Sequence, residues 1–441
     1  MKSLKELLKE KKQDALLVYI HEHEAYDFAD EVDDLDDDEL SELLQLLPDI
    51  EIAHLLEESD DEERLRIALM LDEHRFLMVI NDMSDDDIVD ILSDFNIGKR
   101  KKLLDQMKKE DRDIITGLLQ YPEESAGGLM TTAYIALREE RTVAEGLRRI
   151  VEIAPKTEQL QTIYVVDDKN KLCGSVDLRK LLTSPRTAKL LEIMSPHPIS
   201  IEAEADQEEA AKLVARYDLN TLPVVTHGQL LGVITVDDII DVIIQESDED
   251  LLKLYGVNEE ETLESTLFES VKMRLPWLLV NLLTAFLASS VVKLFEDTIS
   301  QVVALSAIMT IISGMGGNAG SQTMSIVVRH LARETVNSTE GRRALFKEIF
   351  AGIINGAING IVTSIVVYII YHNVFLSLIV IVAMIGNMVV AGIFGFLVPV
   401  CLKMMHQDPA VASSIFVTTA TDVLGFFIFL ALAKLFLPLL I

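Results

Sequence analysis

The sequence predicts a multidomain membrane protein: an all-α superhelical N-terminal domain, a repeated α/β pair, a connecting helix and a five-helix transmembrane domain. Charge divides the chain near residue 270, because residues 1–270 contain 64 acidic and 29 basic side chains whereas residues 271–441 contain 7 and 10. Long uncharged runs occur only in the second part, and a repeated strand-turn-strand-helix pattern lies in the first. A single soluble fold is therefore excluded.

Residues 1–125 are predicted to form an acidic, all-helical domain. Apolar residues recur there at helical spacing, as in Leu40, Leu43, Leu44 and Leu47. Residues 34–44 resemble residues 82–92, and an internal repeat of this size is typical of a small helical solenoid. Acids gather at the predicted helix start in both copies, where they cap free N–H groups and complement the helix dipole.

Residues 126–245 alternate β-branched strands with helices, in the order 162–166, 172–176 and 178–182, and then again 221–225, 231–235 and 237–244. This arrangement resembles a tandem pair of CBS domains. The second copy keeps a Gly232-Val-Ile-Thr-Val-Asp-Asp238 sequence that often contacts an adenosine ribose in such domains. The resemblance implies Thr235 and Asp238 as candidate ligands of ATP or another adenine nucleotide; alternatively, Thr235 caps the next helix.

Residues 246–270 are rich in carboxylates, contain no proline and carry interspersed leucines. This pattern predicts a connecting helix between the α/β pair and the membrane part. A helix in that position is well placed to transmit movement from one part to the other.

Five uncharged runs approach or exceed the roughly 20 residues that a transmembrane helix needs. They are predicted at residues 275–292, 299–328, 349–370, 374–402 and 409–433, with a break at Tyr371-His372-Asn373. Basic residues concentrate in the loops after the second and fourth runs, at Arg329, Arg333, Arg342, Arg343, Lys347 and Lys403. Because short cytoplasmic loops carry an excess of Lys and Arg, the N-terminal domains are expected in the cytoplasm of a multi-pass plasma-membrane protein.

Asp422 lies about midway along the fifth run, where an ionised carboxylate costs about 2.5 to 3.5 kcal/mol on insertion scales. Lys434 on the same helix is nearly 18 Å away at about 1.5 Å per residue, so pairing within the helix is excluded. The polar run from Thr418 to Asp422 favours a hydrated cation path over contact with lipid.

Residues 314–322 interrupt the second run with glycine and amide residues, including Asn318 and Gln322. Such a segment either packs closely against a neighbouring helix or lines a pore. The series Gly352, Gly356 and Gly360 in the third run is interpreted as helix packing.

Together, residues 314–322 with Arg329-His-Leu-Ala332, Asp408-Pro-Ala410 and Thr421-Asp-Val-Leu-Gly425 resemble the membrane signatures of the bacterial MgtE family of magnesium channels and transporters. The order of domains over essentially the whole chain resembles that family as well. The resemblance implies a homodimer with one pore on its two-fold axis, in which Asp422, Asn318, Gln322 and Thr418 meet Mg²⁺. Family members with an Asn between the Asp-Pro pair and the pore Asp have an additional pore amide; this chain has Ser413-Ser414 there.

The resemblance also implies regulation by cytosolic Mg²⁺, which bridges carboxylates and holds a compact form that closes the pore. When Mg²⁺ is scarce, the acidic cytosolic part repels itself and its domains separate. Each candidate ligand also has the alternative of being a solvated surface acid. The candidate ligands are Asp86, Asp90, Asp218, Asp250, Glu259, Glu260 and Glu261.

Asp422 also bears on the alternative functions of this sequence. A proton-coupled carrier would use Asp422 to take up and release the proton, and a less selective carrier would also pass Mn²⁺ or Co²⁺. A sensor with a passive membrane anchor has no use for a mid-membrane charge. The sequence shows no nucleophile and base constellation, so an enzyme is not predicted, and no nucleic-acid partner is predicted.

Overall fold

The structure is a computed structural model that describes residues 4–11, 13–154, 160–258, 261–262, 265–333, 338–405, 407–411 and 413–440. It divides into two compact units, Met1–Ile243 and Ile244–Ile441. The prediction of helical, α/β and membrane parts is confirmed in the order in which the sequence places them.

Short helices form the first part of the N-terminal unit, and their apolar faces share one core. Leu40, Leu43 and Leu44 are buried there, as their spacing predicts. The helices are α1 (Leu4–Glu10), α2 (Gln13–Glu22), α3 (Ala25–Asp33), α4 (Asp37–Leu46), α5 (Asp49–Glu58), α6 (Asp61–Met70), α7 (Glu73–Val79), α8 (Asp85–Asp94), α9 (Ile97–Gln106) and α10 (Lys109–Leu118), with a 3₁₀ turn at Ile80–Asp82.

The two sequence repeats begin helices α4 and α8, and their polar residues cap those helices. The Asp36 carboxylate accepts a hydrogen bond from the Glu39 N–H, and the Glu39 side chain accepts one from the Asp36 N–H. In the second copy the Ser84 hydroxyl accepts from the Asp87 N–H at 3.5 Å. The predicted capping by an acid is therefore confirmed in the first copy, whereas the capping side chain of the second copy is Ser84.

The second part of this unit contains two small sheets with adjacent helices. One sheet has the order β1-β2-β3-β4 and the other β5-β6-β7, and each combines one parallel pair with antiparallel neighbours. The predicted strand-turn-strand-helix repeat is confirmed. The elements are β1 (Ala136–Arg138), α11 (Val143–Ile153), β2 (Thr162–Val166), β3 (Leu172–Asp177), α12 (Leu178–Thr183), α13 (Leu190–Ile193), β4 (Ser195–Pro196), β5 (Ile201–Glu202), α14 (Gln207–Tyr217), β6 (Thr221–Thr226), β7 (Gln229–Thr235) and α15 (Val236–Leu254).

The connecting segment differs from the single helix expected over residues 246–270, because helix α15 ends at Leu254. Gly256 has a φ of +70°, and the N–H groups of Gly256 and Val257 donate to the carbonyls of Lys253 and Leu252. These two bonds form a glycine-capped helix end of the Schellman type. The next helix begins only at Leu267, after Thr266 accepts a hydrogen bond from the Glu269 N–H. The absence of proline was therefore an insufficient reason to predict an unbroken helix.

Long helices dominate the second unit. They are α16 (Leu267–Leu294), α17 (Glu296–Gln301), α18 (Ala304–Arg333), α19 (Ser338–Tyr371), α20 (Val374–Met404), α21 (Ser413–Leu435) and α22 (Leu437–Leu440), of which α17 and α22 are short. The predicted break near residue 372 is confirmed: His372 has a φ of +51°, and Asn373 caps α20. The second run starts later than predicted, at Ala304, because the chain leaves helical geometry at Val302 (φ −132°, ψ 80°).

Among the described residues, four helices are long and apolar enough to cross a membrane. They lie within α16, α19, α20 and α21. Helix α18, predicted as the second span, is not among these four, since its small and amide residues between positions 313 and 322 lower its hydropathy. It nevertheless packs into the bundle, where its Leu305, Ile308 and Ile312 are buried with side chains of α20 and α21.

The glycines of α19 face the neighbouring helix α20. A Cβ atom added at Gly352, Gly356 or Gly360 would lie 3.0 Å or less from backbone atoms of α20. Their interpretation as packing residues is therefore confirmed.

Candidate ion path, carboxylate cluster and family

Asp422 lies near the middle of α21, and its side chain is half-buried. Its carboxylate accepts a hydrogen bond from the Ser313 hydroxyl of helix α18. Within the described part of the chain, no Lys, Arg or His nitrogen lies within 4.0 Å of this carboxylate. The nearest candidate on its own helix, Lys434, instead lies over the Phe295 ring, 5.8 Å from its centroid. Asp422 is thus bound to a hydroxyl group, and no base among the described residues neutralises it.

The other predicted pore residues lie on the same two helices. Asn318 and Gln322 are four residues apart on α18, which places them on one side of that helix, and both are exposed. Thr418 is exposed one turn before Asp422 on α21. The sequence analysis did not single out Ser313, which connects the two helices.

Asn387 is a second polar residue that the sequence analysis missed. It lies on α20, is fully buried, and donates a hydrogen bond from Nδ2 to the Ile312 carbonyl of α18 at 2.7 Å. Its amide lies between Gly316 of α18 and Gly425 of α21. The sequence feature that could have identified it is a single amide within the most apolar of the four candidate membrane spans.

In the N-terminal unit, five carboxylates from three helices influence one another electrostatically. We call Glu57 (α5), Asp86, Asp87 and Asp90 (α8) and Asp238 (α15) the carboxylate cluster. Burial in particular, with repulsion between neighbouring carboxylates, raises the pKa of Glu57 and of Asp90 to about 7, and the pKa of Asp86 and of Asp238 to about 6. The pKa of Asp87 is raised as well, and for the same first cause, burial.

Two of the predicted regulatory ligands, Asp86 and Asp90, therefore lie in one electrostatic environment. The Asp86 Oδ1 atom is buried and has no hydrogen-bond partner in the described residues. Arg64 moderates the cluster at longer range, since its Nη1 lies 3.9 Å from Asp90 Oδ2. The sequence analysis missed Glu57 and Asp87, and it placed Asp238 in a different site. The sequence signal for Asp87 was the acidic start of the second repeat, whereas Glu57 lies outside that repeat.

Thr235 and Asp238, the predicted nucleotide ligands, contact each other. The Thr235 N–H donates to the Asp238 carboxylate at 3.2 Å, and the Thr235 hydroxyl donates to the same oxygen. This pattern is a local cap at the start of α15. Asp238 is the acceptor in both bonds, whereas the capping alternative for Thr235 requires its hydroxyl to accept from a helix N–H.

The remaining predicted regulatory residues are dispersed. Asp218 is exposed and ends α14 in the left-handed conformation (φ +51°), which Asp tolerates better than most residues do. Asp250 lies on α15 and is half-buried. Arg274 donates to the Glu261 carboxylate, and this hydrogen bond lowers the pKa of Glu261. Glu259 and Glu260 lie outside the described residues.

In this arrangement, the described His, Cys, Asp and Glu side chains form no group of three or more that is already placed to hold a metal ion. The carboxylates of the cluster would therefore have to move closer together to bind Mg²⁺ directly, or bind it through water. Mg²⁺ usually retains several of its waters, so the second arrangement suits its chemistry.

The end of the connecting helix contacts the loop before α21. Lys253 forms an ion pair with Glu249 on its own helix, and its Nζ lies 3.5 Å from Asp408 Oδ2. Leu254 packs beside Met324, Val328 and Val417 of the membrane helices. These contacts attach α15 to the helix that carries Asp422.

Family models match three regions of the chain. A "divalent cation transporter" model, MgtE, matches residues 309–432, and a model of the MgtE intracellular N domain matches residues 23–124. CBS domain models match residues 126–186 and 190–245. A magnesium transporter MgtE of Thermus thermophilus is 33% identical over 99% of this chain and 98% of its own length. This chain belongs to the MgtE family of magnesium transporters.

Other MgtE comparisons agree. A magnesium transporter MgtE of Bacillus subtilis is 30% identical over 88% of this chain and 86% of its own length. A crystal structure of the cytosolic domain of the Mg²⁺ channel MgtE in complex with ATP is 36% identical, with a TM-score of 0.52, and covers 54% of this chain and 98% of its own. The soluble part of a magnesium transporter matches with the same TM-score at 28% identity, over 55% and 96%. The MgtE family is one of membrane transporters and not of enzymes, and the soluble N-terminal part followed by apolar helices places this chain in a membrane as predicted.

Proposed function

We propose that this chain takes up Mg²⁺ through a membrane path in which Asp422 is the principal ion-binding carboxylate. One observation carries the proposal: a mid-helix carboxylate hydrogen-bonds to the Ser313 hydroxyl, and no base among the described residues neutralises it. An acid in such a position is costly unless it faces water or ions. Membership of the MgtE family supplies the ion.

Mg²⁺ gives up its waters reluctantly, so Asp422 holds a largely hydrated ion through those waters. Asn318, Gln322 and Thr418 supply further oxygen and amide groups along the same path. They are exposed on α18 and α21, of which α21 is apolar enough to lie in a membrane and α18 packs into the same bundle. A polar face on membrane helices requires water or another protein surface beside it. We therefore propose a homodimer in which two such faces enclose the path, in agreement with what the family resemblance implies.

Cytosolic Mg²⁺ closes this path by binding the acidic domains. The carboxylate cluster supports this step, because four of its acids have a pKa raised to about 6 or 7 by burial and mutual repulsion. A divalent cation that bridges them removes that repulsion. Such an ion shifts the equilibrium toward the closed form only if it binds that form more tightly than the open one. Asp86 and Asp90 are the ligands with the strongest support, and Asp238 joins them.

Asp218, Asp250 and Glu259 to Glu261 complete the proposed regulatory set, each with its own requirement. Mg²⁺ at Glu261 must compete with Arg274 for the carboxylate. Mg²⁺ near Asp250 would act on α15, whose end contacts the loop before α21. The functional regions are then residues 1–125 for sensing, 126–245 for the CBS pair, 246–270 for the connection and 271–441 for transport.

We also propose an adenine nucleotide site in the CBS pair, because a relative's cytosolic domain was crystallised with ATP. Binding at Thr235 and Asp238 would require the Thr235 hydroxyl to leave the Asp238 carboxylate and turn toward the ribose. Equilibrium dialysis of the intact chain with ATP, compared with its Thr235→Ala variant, measures this directly. Equal binding by both would place the nucleotide elsewhere.

The decisive experiment is Mg²⁺ flux into proteoliposomes. The variants are Asp422→Asn, Asp422→Ala and a chain that lacks residues 1–125, with Asp297→Asn as a control that removes a carboxylate of the same unit outside the long helices. We expect flux to be lost in both Asp422 variants and kept in the control, and the truncated chain to ignore internal Mg²⁺. Full flux in Asp422→Ala would refute the proposed path, and unchanged regulation after truncation would refute the proposed sensing.

The same assay separates the two alternative functions. In a proton-coupled carrier, Asp422→Asn removes the proton acceptor, and the flux of the intact chain depends on a pH gradient across the membrane. A channel shows no such dependence. Competition by Mn²⁺ and Co²⁺ at equal concentration measures how selective the path is.

A further inference from the structure

Asn387 is an amide buried in the middle of an apolar helix bundle, and its burial requires a reason. Its side chain is completely inaccessible to solvent. Only Nδ2 is satisfied by a hydrogen bond, to the Ile312 carbonyl at 2.7 Å, whereas Oδ1 has no hydrogen-bond partner among the described residues. Burying an incompletely satisfied amide is unfavourable, so a residue chosen for stability alone would be apolar.

The surrounding helices are shaped to admit this amide. A Cβ atom at Gly316 would overlap the Asn387 amide, and a Cβ atom at Gly425 would lie 2.6 Å from Oδ1. Gly316 belongs to α18 and Gly425 belongs to α21. Asn387 therefore occupies a place on α20 that exists only because both facing helices have glycine there.

The contacts of Asn387 lead to the candidate ion-binding carboxylate. The Ile312 carbonyl that accepts its hydrogen bond belongs to the residue next to Ser313, and the Ser313 hydroxyl donates to Asp422. Gly425 lies three residues after Asp422, which is nearly one helical turn along α21. One amide on α20 thus fixes α18 on one side of Ser313 and contacts α21 close to Asp422.

We propose that Asn387 is a positioning residue for ion binding: through α18 it holds the Ser313 hydroxyl against Asp422, and this sets the direction in which the carboxylate meets hydrated Mg²⁺. The inference rests on the proposed function of Asp422. A carboxylate with one oxygen held by a fixed donor presents the other oxygen in a defined direction, whereas a freely rotating carboxylate accepts ions of other sizes and hydration. Asn387 therefore acts on affinity and discrimination and not on the maximum rate.

The test compares Asn387→Leu, which keeps the approximate size, with Asn387→Ser, which keeps a polar group but is too short to reach the Ile312 carbonyl. Asn359→Leu is the matched control, because in the described part of the chain the Asn359 amide bonds to Asn355 of its own helix α19. Mg²⁺ flux into proteoliposomes is measured against Mg²⁺ concentration, with Ca²⁺ as competitor. We expect both Asn387 variants to raise the half-saturating Mg²⁺ concentration about fivefold, the effect of losing one net hydrogen bond, and to weaken discrimination against Ca²⁺. Maximum flux should change less than twofold, and the control should resemble the parent chain.

A double variant shows whether Asn387 acts through Ser313. If it does, Asn387→Ser combined with Ser313→Ala should be no weaker in Mg²⁺ affinity than Ser313→Ala alone. Three outcomes would each overturn the inference. In the first, the losses of Mg²⁺ affinity in the two single variants multiply in the double variant. In the others, maximum flux falls while the half-saturating Mg²⁺ concentration stays unchanged, or the Asn387→Ser chain behaves like the parent chain. Asp422→Asn distinguishes the role proposed for Asp422 from the role proposed for Asn387. If Asp422→Asn loses flux while the Asn387 variants behave like the parent chain, only the positioning role of Asn387 is overturned.

Discussion

Replacing Asp86 by Asn should stabilise the N-terminal unit when Mg²⁺ is absent and remove most of its stabilisation by Mg²⁺. Asp86 has a buried oxygen without a hydrogen-bond partner, and it lies near Asp87 and Asp238. Its ionised form is therefore disfavoured in the folded chain. An amide of the same shape carries no charge and avoids that cost, but it cannot share a cation.

The size of the effect follows from proton linkage. Burial and the neighbouring Asp87 raise the pKa of Asp86 from 3.8 to about 6, so ionisation costs the folded state about 3 kcal/mol at pH 8. The cost is absent below the unfolded pKa, grows as pH rises above it and is complete once pH passes about 6. Because the carboxylate also accepts hydrogen bonds that an amide only partly replaces, the expected gain is about 1 to 2 kcal/mol. In a unit of this size that gain raises the melting temperature by about 2 to 8 °C.

The stabilisation by Asp86→Asn can be measured on the intact chain at pH 8. Hydrogen exchange followed by mass spectrometry reports local stability in peptides from α8 and α15, and thermal unfolding reports the stability of the whole chain. Asp105→Asn is the control, since it removes one charge from an exposed position on α9. Without Mg²⁺, slower exchange is expected in Asp86→Asn but not in the control. With Mg²⁺, the parent chain and the control should gain protection that Asp86→Asn lacks. Faster exchange in Asp86→Asn without Mg²⁺, or an undiminished Mg²⁺ response, would contradict the reasoning.

Two further predictions concern the connecting helix. Gly256→Ala should weaken Mg²⁺ regulation but leave flux through the Asp422 path, because a φ of +70° costs an L-residue about 1 kcal/mol or more and the new Cβ would lie 3.4 Å from the Trp277 ring. Trp277 is the only tryptophan in the sequence, so a change in its fluorescence should accompany the weaker regulation. Unaltered fluorescence together with unaltered regulation would contradict this prediction. Lys253→Gln should raise the internal Mg²⁺ concentration needed for half-closure severalfold, because it removes the ion pairs to Glu249 and Asp408. Lys212→Gln breaks a similar pair with Glu208 on α14 and should leave this Mg²⁺ concentration unchanged. Equal shifts in both variants would show a general effect of charge and contradict the prediction.

Periodicity and charge predict most of the elements of this fold. Five of the six elements in the two strand-turn-strand-helix copies were predicted within two residues of their observed bounds, because β-branched residues alternate there with polar turns, whereas the last helix was predicted to end at Ile244 and ends at Leu254. The break before α20 was also predictable, since polar residues at 371–373 interrupt a long apolar run. In both cases the signal lies in neighbouring residues.

Features that depend on contacts between distant residues were not predictable in this way. The side chains of Ser313, Asn387 and Asp422 come from three helices, and only Asp422 has a sequence signal strong enough to notice alone. The carboxylate cluster likewise gathers Glu57 and Asp238, which are far apart in the sequence. The end of α15 differs from the predicted continuous helix, because Gly256 in the left-handed conformation ends a helix whatever the leucine spacing beyond it.

The two kinds of carboxylate site also suit opposite tasks in the proposed function. An ion that must leave again should be held weakly, and Asp422 offers one carboxylate whose charge is already shared with a hydroxyl donor. An ion that must change a conformation needs a large difference in binding between two states. In the proposed function the carboxylate cluster would provide such a difference, because repulsion between its acids rises when they are brought together and is removed by a bound cation or by protonation. Neutralising one acid of the carboxylate cluster should therefore change the Mg²⁺ dependence of closure and leave the flux through the open path. Neutralising Asp422 should instead abolish the flux and leave Mg²⁺ binding by the cluster.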